Sequence, residues 1–424
     1  MKAYLQRLPA EIQDLIQFAS EVAVTRGARA YLVGGFVRDL LLKVPNLDLD
    51  ITVEGDGIGY AEELGRRLNA RIIRHRRFGT ATLTLRHHLK IDIATVRKEA
   101  YPKPACLPEV SAGTLWDDLS RRDFTINAMA ISLQRYEFGK LIDFFTSRQD
   151  LKDKKIRVLH ENSFIDDPTR ITRAVRFEQR YNFKIEPATL AYIKEAVGRR
   201  MLEKVQPQRL RDELILLLKE KEPIKPLRRI ASLAGFGFIH PQIVLDKAAL
   251  DLLEAITGQL KWFAYAHLQR RKLDGWLVYF MGLIAPLKTE ETKTLLALLA
   301  LHRGETKRVL SVKQISQADI ARLCRKDTRP AELFSRCEPL SYEAILFLKA
   351  KYRNRAFNKN IELFLKAYNG MRIHVGGDDL RRMGVSPGPE YQKIFGQVLH
   401  AKIEGRLKNK EDEMAFIEHL IRNK

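Results

Sequence analysis

Hydrophobic and polar positions change their period three times between Ala30 and Val53. Ala30 to Val33 is an apolar run that ends on Gly34-Gly35. Phe36-Val37-Arg38-Asp39 and the apolar Leu40-Leu41-Leu42 follow, and Pro45-Asn46 marks a turn. Then Leu47, Leu49, Ile51 and Val53 alternate with Asp48, Asp50 and Thr52. This pattern predicts strand, tight turn, short helix, turn and second strand. On the second strand a period of two places the apolar set on one face and both carboxylates on the other.

Two carboxylates at i and i+2 stand roughly 6–7 Å apart along a strand and repel when unpaired. Hard divalent cations relieve that repulsion, because Mg²⁺ takes oxygen ligands and keeps its remaining places for water and phosphates. Without Cβ atoms, the Gly34-Gly35 turn lets backbone N–H groups approach a phosphate, and the helix start behind it favours anions. Arg38 adds a charged fork. Each feature alone is a common turn or a solvated face. Together, on adjacent elements, they point to a phosphate site with metal.

Elsewhere the pattern is coarser. Residues 1 to about 28 and 56 to 70 read as helices, and Gly55-Asp56-Gly57-Ile58-Gly59 as a connector. Residues 71 to 97 read as a hairpin of three short strands. In Lys90-Ile91-Asp92-Ile93, Asp92 is either a third carboxylate facing Asp48 and Asp50 or a salt-bridged strand residue. Residues 98 to 116, with Pro102, Pro104 and Pro108, read as a loop. Arg121, Arg122, Asp123 and Asn127 are expected to open an apolar helix, with Ser120 or Asp123 as cap. Arginines there oppose the helix dipole, which suggests an anionic ligand. Lys140 to Phe145 reads as a strand.

Near residue 150 the alternation stops and helical periodicity takes over. Phe164 to Arg180 reads as a helical stretch, with Pro168 in the first turn and Asp166 or Asp167 at the cap. Arg170, Arg173 and Arg176 then share one face, which is either a solvated basic stripe or a row met by an anion. Gly235 to Pro241 is a break. Residues 371 to 390 hold two Gly-rich turns around a short basic helix, and Tyr391 to Arg422 reads as a helix pair.

Composition narrows the partners. The 424 residues carry a formal net charge of +22, which suggests a polyanion, nucleic acid first. No apolar run reaches the roughly 18–20 residues needed to cross a bilayer, so no membrane role is expected. Cys106, Cys324 and Cys337 are few, odd in number and widely spaced, which fits a reducing cytoplasm. The histidines, His75, His87 and His88 among them, show no ligand spacing. No Gly-x-Ser-x-Gly elbow supports acyl chemistry.

Three motifs in this order carry a resemblance: Gly34 to Asp39 with Asp48-Leu49-Asp50, then Arg121 to Ala130, then Asp166 to Phe177. The chain resembles the class II tRNA nucleotidyltransferase and bacterial poly(A) polymerase family of the polymerase beta superfamily. The resemblance is specific over residues 25 to 185 and returns loosely at Gly377 to Leu380 and Gly384 to Pro389. It implies an α+β fold: a nucleotidyltransferase head with a small mixed sheet (1–150), a helical neck with the base-reading helix (151–240), and a helical body and tail that bind tRNA (241–424).

The resemblance also implies roles. Asp48 and Asp50 would hold two Mg²⁺ ions, with Asp92 as a further catalytic candidate. Gly34, Gly35 and Arg38 would cradle the phosphates, and Arg122, Asp123 and Asn127 would face the ribose. Asp167 and Arg170 would read the base edge, with Arg173 and Arg176 in support. The expected reaction is transfer of CMP or AMP, from CTP or ATP, to the 3′ end of tRNA gripped by its acceptor arm. The Asp166-Asp167-Pro168 form, where CCA-adding members often carry Glu-Asp, is similar to branches that add only A or only CC and to poly(A) polymerases. Poly(A) addition to general RNA is the enzymatic alternative, and a catalytically silent RNA-binding protein is the alternative of another class.

Overall fold

A computed structural model of the chain describes residues 1–85 and 89–422, the Arg77 side chain excepted. His87 and His88 lie outside those residues. The chain forms two compact units, Met1–Phe238 and Ile239–Lys424.

The first unit is built on a mixed sheet. Its strands are β1 (Arg29–Val33), β2 (Leu49–Glu54), β3 (Arg71–His75), β4 (Thr80–Thr84), β5 (Lys90–Thr95), β8 (Met129–Ser132) and β9 (Leu141–Asp143), in the order β3-β4-β5-β2-β1-β8-β9. Only β2 and β5 run parallel. Helix α1 (Lys2–Leu5) leads to α2 (Ala10–Thr25), α3 (Gly35–Leu42) joins β1 to β2, and α4 (Gly57–Arg67) joins β2 to β3. Leu49, Ile51 and Val53 are buried on one face of β2, as the alternation predicts. Leu47 is the exception: it precedes the strand and is 44% exposed.

The other face carries the site. Tyr31 and Val33 pack there against Leu115 and Leu119 of α5 (Leu115–Ser120). That packing lays the end of α5, and the arginines after it, over the strand that bears Asp50.

Three local expectations are corrected. Residues 98–116 are not all loop, because β6 (Arg97–Ala100) and β7 (Glu109–Ala112) pair antiparallel and leave residues 101–108 as their connection. Ser120 ends a helix instead of starting one, and Met129–Ser132 is a strand. An all-apolar run reads alike as buried helix or buried strand, and here Ala128 to Leu133 is buried throughout between β1 and β9. The Gly55 to Gly59 connector is a cap, with Asp56 Oδ1 accepting the Gly59 N–H at 2.8 Å as α4 begins.

Beyond β9 come α6 (Ser147–Lys152), α7 (Ser163–Asp166), α8 (Thr169–Tyr181), α9 (Pro187–Gly198), α10 (Pro207–Leu218) and α11 (Ile224–Leu233). A two-residue parallel pair, Lys155–Ile156 with Lys184–Ile185, interrupts this helical run. The long helix of the 164–180 stretch starts about where its cap and proline place it: α7 ends at Asp166, Asp167 is extended before Pro168, and α8 begins at Thr169.

Every described element of the second unit is helical. Trp276 to Leu283 and Tyr342 to Ala350, the bodies of two of its helices, are buried throughout. Val375, Leu380, Ile394, Val398 and Ile417 form a separate core near the end. Its buried carboxylate, Glu413, accepts the backbone N–H groups of His374 and Val375 at 2.7 and 3.0 Å and Lys402 Nζ at 2.7 Å. Among the described residues no helix is long and apolar enough to cross a membrane.

Candidate active site

A cavity of about 750 Å³ in the first unit brings together almost every residue singled out from the sequence. Asp48, Asp50, Gly34, Gly35, Arg38, Arg122, Asp123, Asn127, Asp167, Arg170, Arg173 and Arg176 all line it. Asp92 does not. It stands in register with Asp50 on the neighbouring parallel strand and lines a smaller cavity that shares Asp50, Arg121 and Arg122 with the first.

Gly34 opens the site. It is the N-cap of α3, with φ +70°. A Cβ there would stand 2.7 Å from Arg122 Nη1 and 3.4 Å from Asp50 Oδ2. The position therefore requires glycine for its backbone and for the close approach of Arg122. Gly35 is less constrained, since its Cβ would meet only the Arg38 guanidinium at 3.4 Å.

The two carboxylates of the β2 segment have no hydrogen bond or ion pair among the described residues. Burial pushes the Asp50 carboxyl up to about 6; Arg122 opposes the rise, and Asp92 and Asp48 add to it. Asp92 Oδ1 accepts from Thr82 Oγ1 at 2.6 Å and makes no ion pair among the described residues. A carboxylate pair facing a cavity with no cationic partner of its own among the described residues suits a hard divalent cation. Among the described residues no group of three or more His, Cys, Asp or Glu forms a complete ligand set. A cation here would complete its shell with water and substrate phosphate.

The Arg121-Arg122 pair is anchored from below. Asp118, fully buried on α5, accepts Arg121 Nη2 at 2.6 Å and Arg122 Nη2 at 3.1 Å. Burial alone would raise the Asp118 carboxyl, but the two guanidiniums outweigh it and hold it below the usual range. The expectation that these arginines stand against a helix dipole is overturned: they follow a helix C-terminus, where cations are favoured. Arg121 also reaches Glu99 Oε1 of β6 at 2.8 Å. Arg122 keeps a buried Nε with no partner, so it has donors to offer.

Asp123 and Asn127 are buried behind it. Asn127 Nδ2 donates to Asp123 Oδ1 at 2.8 Å, and Arg173 donates to Asp123 Oδ2 through Nε at 2.9 Å and Nη2 at 2.6 Å. Burial would raise the Asp123 carboxyl, yet Arg173 and Asn127 hold it low. The fork expected of Arg38 is turned inward. Its Nε and Nη2 each donate to Asp39 at 2.9 Å, its Nη1 donates to Asn127 Oδ1 at 2.6 Å, and its guanidinium lies 5.1 and 4.8 Å from the rings of Phe177 and Tyr181. Arg38 is thus engaged within the protein, while Arg122 and the Gly34 turn approach each other at the cavity wall.

On α8 the arginine row is met by the protein's own carboxylates. Arg173 pairs with Asp123, and Glu213 of α10 lies 3.5 Å from both Arg173 and Arg176. Of the two readings, a solvated stripe or a row met by an anion, Arg173 and Arg176 fit the second, with the protein's own carboxylates as the anions. Arg170 donates to Ser163 Oγ and to the Arg121 carbonyl, each at 2.7 Å. Asp167 Oδ1 accepts from Thr169 Oγ1 at 2.6 Å and pairs with Arg209 of α10 at 2.8 Å. Its Oδ2 has no partner among the described residues. Arg209 and Glu213 went unnoticed in the sequence. Their i, i+4 spacing on α10 was the available signal, but nothing local joins α10 to a helix 40 residues earlier.

The Poly A polymerase head domain matches residues 30–157, and the Probable RNA and SrmB- binding site of polymerase A matches residues 182–244. An A-adding tRNA nucleotidyltransferase of Halalkalibacterium halodurans is 31% identical, over 97% of this chain and 93% of the relative. The chain belongs to the tRNA nucleotidyltransferase and poly(A) polymerase family. An A-adding tRNA nucleotidyltransferase of Geobacter sulfurreducens is 38% identical over 96% of this chain, which spans 46% of that relative's length. Among solved members of the family, the Thermotoga maritima CCA-adding enzyme complexed with tRNA superposes with a TM-score of 0.72 at 32% identity, covering 99% of this chain and 98% of its own.

Proposed function

We propose that the protein is a template-independent nucleotidyltransferase that adds AMP, or CMP and AMP, from ATP or CTP to the 3′ end of tRNA. One observation carries this reading. Asp48 and Asp50, unpaired among the described residues, line a cavity that also holds the Gly34 turn, Arg122 and the α8 groups. The two A-adding relatives support the A step in particular. The head would be residues 1–150, the neck 151–240 and the tRNA-binding body and tail 241–424. The relatives' part in tRNA processing and the unpaired cysteines favour work in the cytoplasm.

Asp48 and Asp50 would hold two Mg²⁺ ions. Bound there, divalent cations supply acidification of the RNA 3′-hydroxyl and neutralisation of the triphosphate and departing pyrophosphate. The Gly34 turn and Arg122 fix the phosphates. Asp123 and Asn127, locked by Arg173 and Arg38, set a rigid wall for the ribose. Arg209 clamps one oxygen of Asp167 and leaves the other to accept the exocyclic amine of adenine or cytosine, while Arg170 donates to the ring acceptor beside it. On the Watson–Crick edge uracil and guanine do not set an exocyclic amine beside a ring acceptor, so they leave these groups unpaired. The basic helices of the second unit would grip the acceptor arm through its phosphates.

Asp48→Ala with Asp50→Ala tests the assignment. Transfer should fall at least about a thousandfold while tRNA affinity stays within about threefold of the parent. Transfer that survives the double substitution would refute it.

A further inference from the structure

The polar groups behind the carboxylates form one continuous chain, and the roles above leave two of its members, Asn46 and Asp39, without a purpose. Asn46 lies in the irregular segment between α3 and β2. Its Oδ1 accepts the backbone N–H of Asp48 at 2.9 Å, and its Nδ2 donates to Asp39 Oδ2 at 2.8 Å. Asp39 is 5% exposed and does not line the cavity. It accepts both arms of Arg38 and the hydroxyl of Tyr181, the last at 2.9 Å. From Arg38 the chain runs through Asn127 to Asp123 and ends on Arg173 of α8.

A buried carboxylate loses several kcal/mol of hydration and must recover it from partners. Asp39 has four such donors and no substrate to meet. Its partners come from α3, from the segment before β2 and from α8, so it is a junction between three elements. The part of the junction nearest the chemistry is Asn46, which grips the main chain of one proposed metal ligand.

We propose that Asn46 is a positioning residue. It sets the backbone of Asp48, and so the direction of its carboxylate, for divalent cation. Through Asp39 and Arg38 it fastens that ligand to the residues that face the nucleotide. This rests on the reading that Asp48 and Asp50 hold metal. Partners of this kind, one bond removed from a metal ligand, typically change metal affinity 10–100-fold when removed.

The test uses the full chain and the variants Asn46→Ala and Asn46→Ser. Serine can still accept an N–H two residues on but is too short to reach Asp39. Mn²⁺ alone is titrated against each protein without nucleotide and followed by electron paramagnetic resonance. The Mg²⁺ concentration for half-maximal transfer, the KM for ATP and the melting temperature are measured in parallel. Asn46→Ala should weaken Mn²⁺ binding and raise the Mg²⁺ requirement by about tenfold. At saturating Mg²⁺ its kcat should return to within about threefold of the parent. Asn46→Ser should recover part of the Mn²⁺ affinity.

Mn²⁺ affinity and Mg²⁺ requirement unchanged in Asn46→Ala would overturn the inference. So would a kcat loss that saturating Mg²⁺ does not repair, or a serine variant no better than alanine. If the parent itself binds no Mn²⁺ and transfers nucleotide without divalent cation, the metal reading falls and the inference with it. If the parent needs cation and Asn46→Ala behaves like the parent, only the inference falls.

Discussion

A half-buried carboxylate with no partner among the described residues destabilises its fold until a ligand arrives, and Asp50 is such a residue. Its folded pKa of about 6 lies above the ordinary 3.8. The fold therefore favours the protonated form. The associated stability is fully present below the unfolded pKa and is lost as pH rises through 6. In metal-free protein, Asp50→Asn should raise stability at pH 7.5 by about 2 kcal/mol and change little at pH 4. Saturating Mg²⁺ should close the gap by stabilising only the parent. Thermal melts in chelator and in Mg²⁺ at both pH values check this; an asparagine variant less stable than the parent in chelator at pH 7.5 would contradict it. Asp48 and Asp50 were legible because strand alternation shows which residues share a face. Asp39 and Asn46 were not. One read as the interior of a short helix and the other as a turn signal, and their meaning lies in Arg38, Tyr181 and the Asp48 N–H, contacts that no local pattern displays.

At the level of elements, the site depends on α5. This six-residue helix packs on Tyr31 and Val33 and presents Arg121 and Arg122 from its C-terminal end, with Asp118 beneath them. Asp118→Asn should cost about 3 kcal/mol, because it leaves Arg122 without its buried counter-charge and Arg121 with Glu99 alone. It should also raise the KM for nucleotide, since Arg122 would lose the hydrogen bond that orients it. A melting temperature and KM both equal to the parent's would show that Asp118 is not the anchor. This element was misread from sequence in an instructive way. The polar cluster at 121–127 stands out in the sequence, but its pattern suggests a helix start where the structure has a helix end. The run Ala128 to Leu133 has no alternation to separate a strand covered on both faces from a buried helix. The order of strands around β2 likewise comes from long-range pairing, so the parallel β2–β5 contact that sets Asp92 beside Asp50 was beyond any local signal.

At the scale of the whole molecule, charge carries the argument. A net charge of +22 on 424 residues predicts binding to tRNA dominated by release of counterions. A plot of log affinity against log salt should be linear and steep, with each neutralised phosphate adding about 0.7–0.9 to the slope. A filter-binding series from 50 to 300 mM salt should give a slope of about −4 or steeper; a slope near zero would remove the electrostatic grip. The shift from alternating to helical texture near residue 150 and the break at Gly235 to Pro241 were both visible in the pattern. The second unit begins at Ile239, inside that break.

The central claim is that this chain extends the 3′ end of tRNA by a fixed, short addition. Its most direct test is a sequencing gel of purified protein with Mg²⁺ and three tRNA transcripts lacking the last one, two or three nucleotides. Each is incubated with ATP, CTP or both. The account predicts that ATP adds a single A to the transcript ending in CC, with extension stopping there. It allows ordered addition of C and then A to the shorter transcripts. Long A tails on any RNA would move the protein to the poly(A) branch of its family, and no extension of any transcript would contradict the account outright.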